Sequence, residues 1–171
     1  MIENFDTSLS HVLKSEGLWS DNPSDPGGAT MKGITFAVFK NFKNNQNLTK
    51  DDLRNISDED VHTLYKQLYW DKVHGDELPA GVDYATFDAA VNMGVSRASK
   101  LLQEAVGVTA DGVIGSGTLQ AIQKTNPRTI LENFSAEKTA FYKSLNTFDT
   151  FGKGWLNRVA EVKTIAESMN G

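Results

Sequence analysis

Apolar residues recur at three- and four-residue steps along most of this chain and strict alternation is almost absent, which predicts a mainly α protein. The first helix carries Phe5, Leu9, Val12 and Leu13 on one stripe and ends at Gly17, a residue suited to the left-handed turn that closes helices. From Leu18 to Gly33 the pattern stops, and Asn22-Pro23, Asp25-Pro26 and Gly27-Gly28 punctuate a long irregular loop. A loop of that length within a compact domain is usually functional or disordered. Beyond it a short helix carries Phe36, Val38, Phe39 and Phe42, and Thr49 with Asp52 opens another. Ser57 with Asp60 caps a stronger helix, which holds Val61, Leu64, Tyr65, Leu68 and Tyr69 at helical steps. Residues 84–93 form a helix closed by Gly94, and Ser96 caps the next, which ends at Gly107. Asp111-Gly112 marks a turn, Asn126-Pro127 opens a helix at its cap and first position, and a last seam runs Trp155, Val159, Val162, Ala166, Met169. The expectation is about eight or nine helices with little or no β structure.

The chain has neither internal repeat nor low-complexity linker, and its 171 residues suit one globular unit. A boundary near residue 95 therefore separates two lobes, 1–95 and 96–171, of that unit. No run approaches the ~18 apolar residues of a membrane span, and Met1-Ile2-Glu3-Asn4-Phe5-Asp6 lacks a basic and an apolar signal region. A cytoplasmic product without stable membrane insertion is expected. The lack of cysteine excludes a thiolate nucleophile, and His11, His62 and His74 have no metal-ligand spacing, so no metal or cofactor is expected. A net charge of −5 argues against nucleic acid as a partner. The acidity is uneven, since the part from Arg128 onward is near +1 and the rest near −6.

Glu16 is the most informative residue, because eleven positions after Phe5 is about three turns and returns it to the apolar stripe. Desolvation there would favour the neutral carboxyl, as a general acid requires; the alternative is a helix-end Glu bent into solvent. The following loop brings Asp25 and Thr30 on a glycine-rich scaffold. Nine residues span up to ~30 Å, so Asp25 can fold back opposite Glu16. Two carboxyl groups across a cleft are the minimum equipment of most glycoside hydrolases, whereas Asp25 taken alone reads first as an Asx-turn cap. Tyr69 and Trp70 offer flat faces to a sugar ring, or else core packing. Asn92, on an otherwise apolar helix, is either a cleft-lining amide or a structural bond to the loop. A calcium loop over 21–32 fails, with Pro26 where glycine is needed and Lys32 where glutamate is needed. A nucleophile elbow at Gly94-Val95-Ser96-Arg97-Ala98 fails for want of a second glycine and a preceding strand.

Glu16-Gly17, Asp25-Pro26-Gly27-Gly28-Ala29-Thr30 and Gly33-Ile34-Thr35 together resemble the signature of glycoside hydrolase family 108, the N-acetylmuramidases of phages and bacteria. The likeness continues through Tyr69-Trp70-Asp71, Phe87 to Gly94, Leu102-Gln103 and Asp111 to Gly115. Gly154-Trp155-Leu156-Asn157-Arg158 resembles the close of the peptidoglycan-binding region that follows in that family. The resemblance implies a lysozyme-like α fold and hydrolysis of the β-1,4 bond between N-acetylmuramic acid and N-acetylglucosamine. It also implies Glu16 as proton donor; Asp25 and Thr30 are the expected catalytic companions, and Thr35, Tyr69, Trp70 and Asn92 the expected substrate contacts. Glu16, Asp25 and Thr30 are similar to the Glu, Asp, Thr set of T-even phage lysozymes, although Thr30 follows Asp25 by five residues instead of six. Leu18 stands where the family usually has a second glycine.

The implied role is a monomeric endolysin whose partner is the glycan strand and which reaches the wall, or periplasm, from the host cytoplasm after a holin opens the membrane. A bacterial muramidase for wall remodelling or secretion, and a peptidoglycan-binding protein without catalysis, are the alternatives. The 96–171 lobe with its Trp155 to Arg158 motif either adds wall affinity or simply completes the core.

Overall fold

The computed structural model describes residues 2–24 and 27–170. They fall into two compact units, residues 6–68 and a second that joins the chain up to Phe5 with Tyr69 onward. Helix dominates, so the mainly α expectation holds; the sheet among the described residues has three strands of two residues each.

In the unit of residues 6–68, α1 (Ile2–Glu16) turns Leu9 and Val12 inward and leaves Asp6, Lys14 and Ser15 in solvent. Gly17 follows with φ 72° and closes it. Strands β1 (Trp19–Ser20), β2 (Thr30–Met31) and β3 (Ile34–Thr35) form an antiparallel sheet in that order, with Thr30 opposite both Ser20 and Thr35. The stretch expected to be irregular thus holds two strands. Two residues are too few to show alternation, and the hairpin turn is Lys32-Gly33 instead of a more familiar Asn-Gly. Both turn residues have positive φ, 52° and 80°, as a type I′ turn demands.

Thr35 then caps α2 (Phe36–Lys43), its hydroxyl accepting from the Val38 N–H at 3.2 Å. A capping box of Thr49 and Asp52 opens α3 (Lys50–Arg54), and Ser57 caps α4 (Asp58–Tyr65) by accepting from the Asp60 N–H. Helix α4 widens into a π turn over Lys66–Trp70, which breaks the regular spacing expected through Leu68 and Tyr69.

The second unit is built on α5 (Val82–Met93), α6 (Val95–Ala105), α7 (Ser116–Gln123), α8 (Pro127–Lys143) and α9 (Phe148–Asn170). Helix α5 is buried from Val82 to Ala90 and packs on α6, α8 and α9. Ser96 is not the cap expected of it: Gly94, at φ 95°, takes that position and α6 begins at Val95. Asn126 does cap α8, accepting from the Arg128 N–H at 2.9 Å with Pro127 in the first turn.

The buried helix α5 carries a carboxylate at Asp88, and two cations answer it. Lys138 of α8 approaches at 3.4 Å and Arg158 of α9 pairs with the other oxygen. Asp88 is 0% and Lys138 1% exposed, so the cluster ties three helices together inside the core. Burial lowers the Lys138 ammonium from its ordinary range, with Asp88 pulling the other way. Burial, with Asp88's charge second, also pushes the Tyr84 and Tyr142 hydroxyls up.

Candidate active site

Glu16 is the last residue of α1 and is half-buried. Its carboxyl lies against Gly33 in the β2–β3 turn: a Cβ added to Gly33 would stand 2.8 Å from Glu16 Oε2 and 2.7 Å from the Tyr65 hydroxyl. Only a residue without a side chain leaves room there, and the positive φ also favours glycine. Tyr65, 1% exposed at the end of α4, donates its hydroxyl to the Lys32 carbonyl oxygen at 2.6 Å. The end of α1, the hairpin turn and the end of α4 are thereby fixed around one carboxyl group.

The same hairpin carries two expected site residues, since Thr30 and Thr35 are cross-strand partners and share a face of the sheet. Both are half-buried. The Thr35 hydroxyl is engaged as the α2 cap, so its part is to hold the hairpin to that helix. Outer ties add to this: Lys32 Nζ pairs with Asp58 at 2.9 Å, Lys50 with Asp21 at 3.2 Å, and the Arg54 guanidinium lies 5.4 Å from the Trp19 ring centroid. Exposed pairs of this kind contribute about 0–1 kcal/mol each. Asp25, expected opposite Glu16, lies outside the described residues.

Chemically, a carboxyl group held at a helix end beside a rigid turn can deliver a proton to a bound leaving group, and its surroundings reorganise little while it does so. Among the described residues no three His, Asp or Glu side chains gather as a metal site. Among those residues, too, no helix is long and apolar enough to cross a membrane.

Residues 9–94 match the family model described as glycosyl hydrolase 108, and residues 97–160 match the one described as a predicted peptidoglycan domain. The chain belongs to the glycosyl hydrolase 108 family. It is similar to the solved structure of Brucella abortus SagA, at 40% identity and a TM-score of 0.89, over 99% of this chain and 97% of that one. No curated protein sequence matches it. As a member of the family, and in the lysozyme-like α class expected of it, the chain is a glycoside hydrolase that acts on peptidoglycan.

Glu16, Thr30, Gly33 and Tyr65 all fall within the hydrolase match. The sequence reading did not single out Tyr65, although a phenol at a helix end on the apolar stripe of α4 is a buried hydroxyl that must find an acceptor. The remaining expected sugar contacts sit in the second unit. Trp70 is a core residue, 0% exposed, and meets Phe5 and Phe87 edge-on at centroid distances of 5.3 and 5.5 Å. Its indole N–H donates to Asp76 at 2.9 Å, and Gly75 packs so close that an added Cβ would stand 2.3 Å from the ring. The indole therefore has no open face for a sugar, and the substrate role expected of Trp70 is corrected to a packing role. Tyr69 is half-buried. Asn92 is exposed, and its amide donates to Asp88 one turn back at 3.1 Å rather than to the loop.

The Trp155 to Arg158 motif is engaged internally. Trp155 stacks on Tyr142 at 5.0 Å between centroids, and Arg158 is held by Asp88.

Proposed function

We propose that this enzyme is an endolysin-type N-acetylmuramidase with Glu16 as its proton donor. The observation that carries the reading is the enclosure of Glu16 by the Gly33 turn and the Tyr65 hydroxyl, within a segment of hydrolase-family sequence. In this mechanism the Glu16 carboxyl gives its proton to the glycosidic oxygen as the bond to C1 of N-acetylmuramic acid breaks. N-acetylglucosamine leaves with a free 4-hydroxyl. Asp25 steadies the cation or takes a proton from the water that attacks C1, and Thr30 sits on the adjoining strand to orient that water. Thr35 supports this set by capping α2 and so holding the hairpin to that helix.

Mass spectrometry of digested peptidoglycan tests the chemistry. The expected muropeptides end in reducing N-acetylmuramic acid, and products cut at amide bonds would sink the assignment. Glu16→Gln removes the transferable proton at nearly constant size and should abolish lysis in a protein that stays folded. Asp25→Asn should slow it about 10²- to 10⁴-fold.

The biological half of the reading is a monomer released to the wall by a holin. It predicts turbidity loss with permeabilised cells and none with intact ones. Wall remodelling or secretion by a bacterial enzyme has the same chemistry, and the genes neighbouring this one distinguish the two.

A further inference from the structure

Helices α8 and α9 form a hairpin, and an open groove of about 650 Å³ runs along its outer face. That volume is in the range that holds small ligands. Nothing in the catalytic argument uses it. Its apolar lining includes Ala136 and Ala140 on α8, one turn apart, and the adjacent Val159 and Ala160 on α9. The three alanines, carrying only a methyl group each, leave the groove open between the helices.

Polar groups are placed along it in a definite order. Ser135 and Thr139 present hydroxyls on the α8 wall. A four-residue link makes the helices antiparallel, so Glu132 of α8 and Lys163 of α9 share one end while Lys143 marks the other. One end thus carries both charges and the other a single cation. Lys163 is only loosely engaged, 3.8 Å from Glu167 on its own helix.

We propose that this groove binds the peptide arm of peptidoglycan. The inference rests on the chain being a wall hydrolase, and names a second wall contact separate from Glu16. Such an arm is a short peptide of alanines, a glutamate and a diamino acid. Its methyl groups match the alanines of the lining, its glutamate carboxylate matches Lys143, and the zwitterionic diamino acid matches the Glu132 and Lys163 end. Nine of the ten lining residues lie in the segment matched by the peptidoglycan domain model.

The test uses the full chain and the free tripeptide L-alanyl-D-glutamyl-diaminopimelate, which has no glycosidic bond to cut. Titration calorimetry should show saturable, salt-sensitive binding that falls about tenfold in Lys143→Glu and is lost in Ala140→Phe, which fills the groove from an exposed position. Both variants should cleave peptide-free glycan strands at the wild-type rate. Absence of tripeptide binding, or binding that both variants leave intact while circular dichroism reports them folded, overturns the proposal. So does sedimentation showing a dimer that Lys143→Glu dissociates, which would assign the groove to a second copy. Failure to cleave peptide-free glycan by the wild type would count against the muramidase reading alone.

Discussion

The Tyr65 hydroxyl donates to the carbonyl oxygen of Lys32 across 33 positions of sequence, at 2.6 Å, and so pins the hairpin turn beside Glu16. Tyr65→Phe keeps the ring and removes this bond, leaving the carbonyl without its buried donor. Losses of this kind cost about 1–3 kcal/mol. The expected outcome is a lower urea midpoint together with a fall in kcat larger than any rise in KM, because the turn positions the carboxyl and does not itself bind sugar. A Tyr65→Phe enzyme with wild-type kcat would show that the tether is structural only.

Gly33 and Gly28 supply a matched pair for separating backbone strain from crowding. Both have positive φ, 80° and 71°, but a Cβ at Gly28 meets nothing within 4 Å while one at Gly33 strikes Tyr65 and Glu16. Gly28→Ala should cost about 1 kcal/mol, the left-handed penalty alone. Gly33→Ala adds displacement of the Tyr65 hydroxyl and the Glu16 carboxyl, so it should cost more and remove most activity. Thermal melts and wall-lysis rates of the two variants, measured side by side, check this; equal effects would show that the close approach at Gly33 does not matter.

Much of this arrangement could be read before any coordinates, where the signal was local. The apolar stripe of α1, the caps at Thr49, Ser57 and Asn126, and the closing Gly17 each depend on residues near one another in sequence. The hairpin was hidden because two-residue strands leave no alternation, and its partner Tyr65 is more than thirty residues away. Trp70 misled for a physical reason: an aromatic at helical spacing looks the same in sequence whether its face meets a sugar or, as here, Phe5 and Phe87. The core ion cluster did leave a trace. Lys138 falls four residues after Phe134 and seven after Leu131, a cation on an apolar stripe, which in this fold Asp88 answers.

That cluster predicts an asymmetry. Asp88→Asn leaves the Lys138 ammonium buried without its counter-ion and should cost about 3–5 kcal/mol. Lys138→Met removes the cation and leaves Asp88 paired with Arg158, so it should cost less, and the double variant should recover part of the Asp88→Asn loss. Urea denaturation of the three proteins measures the differences. Additive effects would mean that Lys138 and Asp88 are not energetically coupled.

The last prediction concerns pH and Asp83, at the start of α5. Its carboxylate accepts from the Gly81 and Tyr84 N–H groups at 2.9 and 2.7 Å and from the Asn4 amide at 3.0 Å. Burial nevertheless dominates these bonds and raises its pKa above the ordinary value of 3.8. A folded state whose carboxyl holds its proton more tightly than the unfolded chain binds more protons in that window, so its contribution to stability is present below 3.8 and falls as pH rises through the folded pKa. Exposed Asp111 works in the opposite sense: hydrogen bonds from Val113 and Gln103 lower its pKa, so its contribution is lost as pH falls. The net profile of the wild type mixes such terms, and comparison with Asp83→Asn isolates one of them. The amide oxygen can keep both backbone bonds, and Asn4 can turn its own amide to accept from the new NH₂. Unfolding free energies from about pH 3 to pH 7 should show the variant gaining on the wild type as pH rises. A difference between the two proteins that stays constant across that range would mean that Asp83 titrates alike in the folded and unfolded chains.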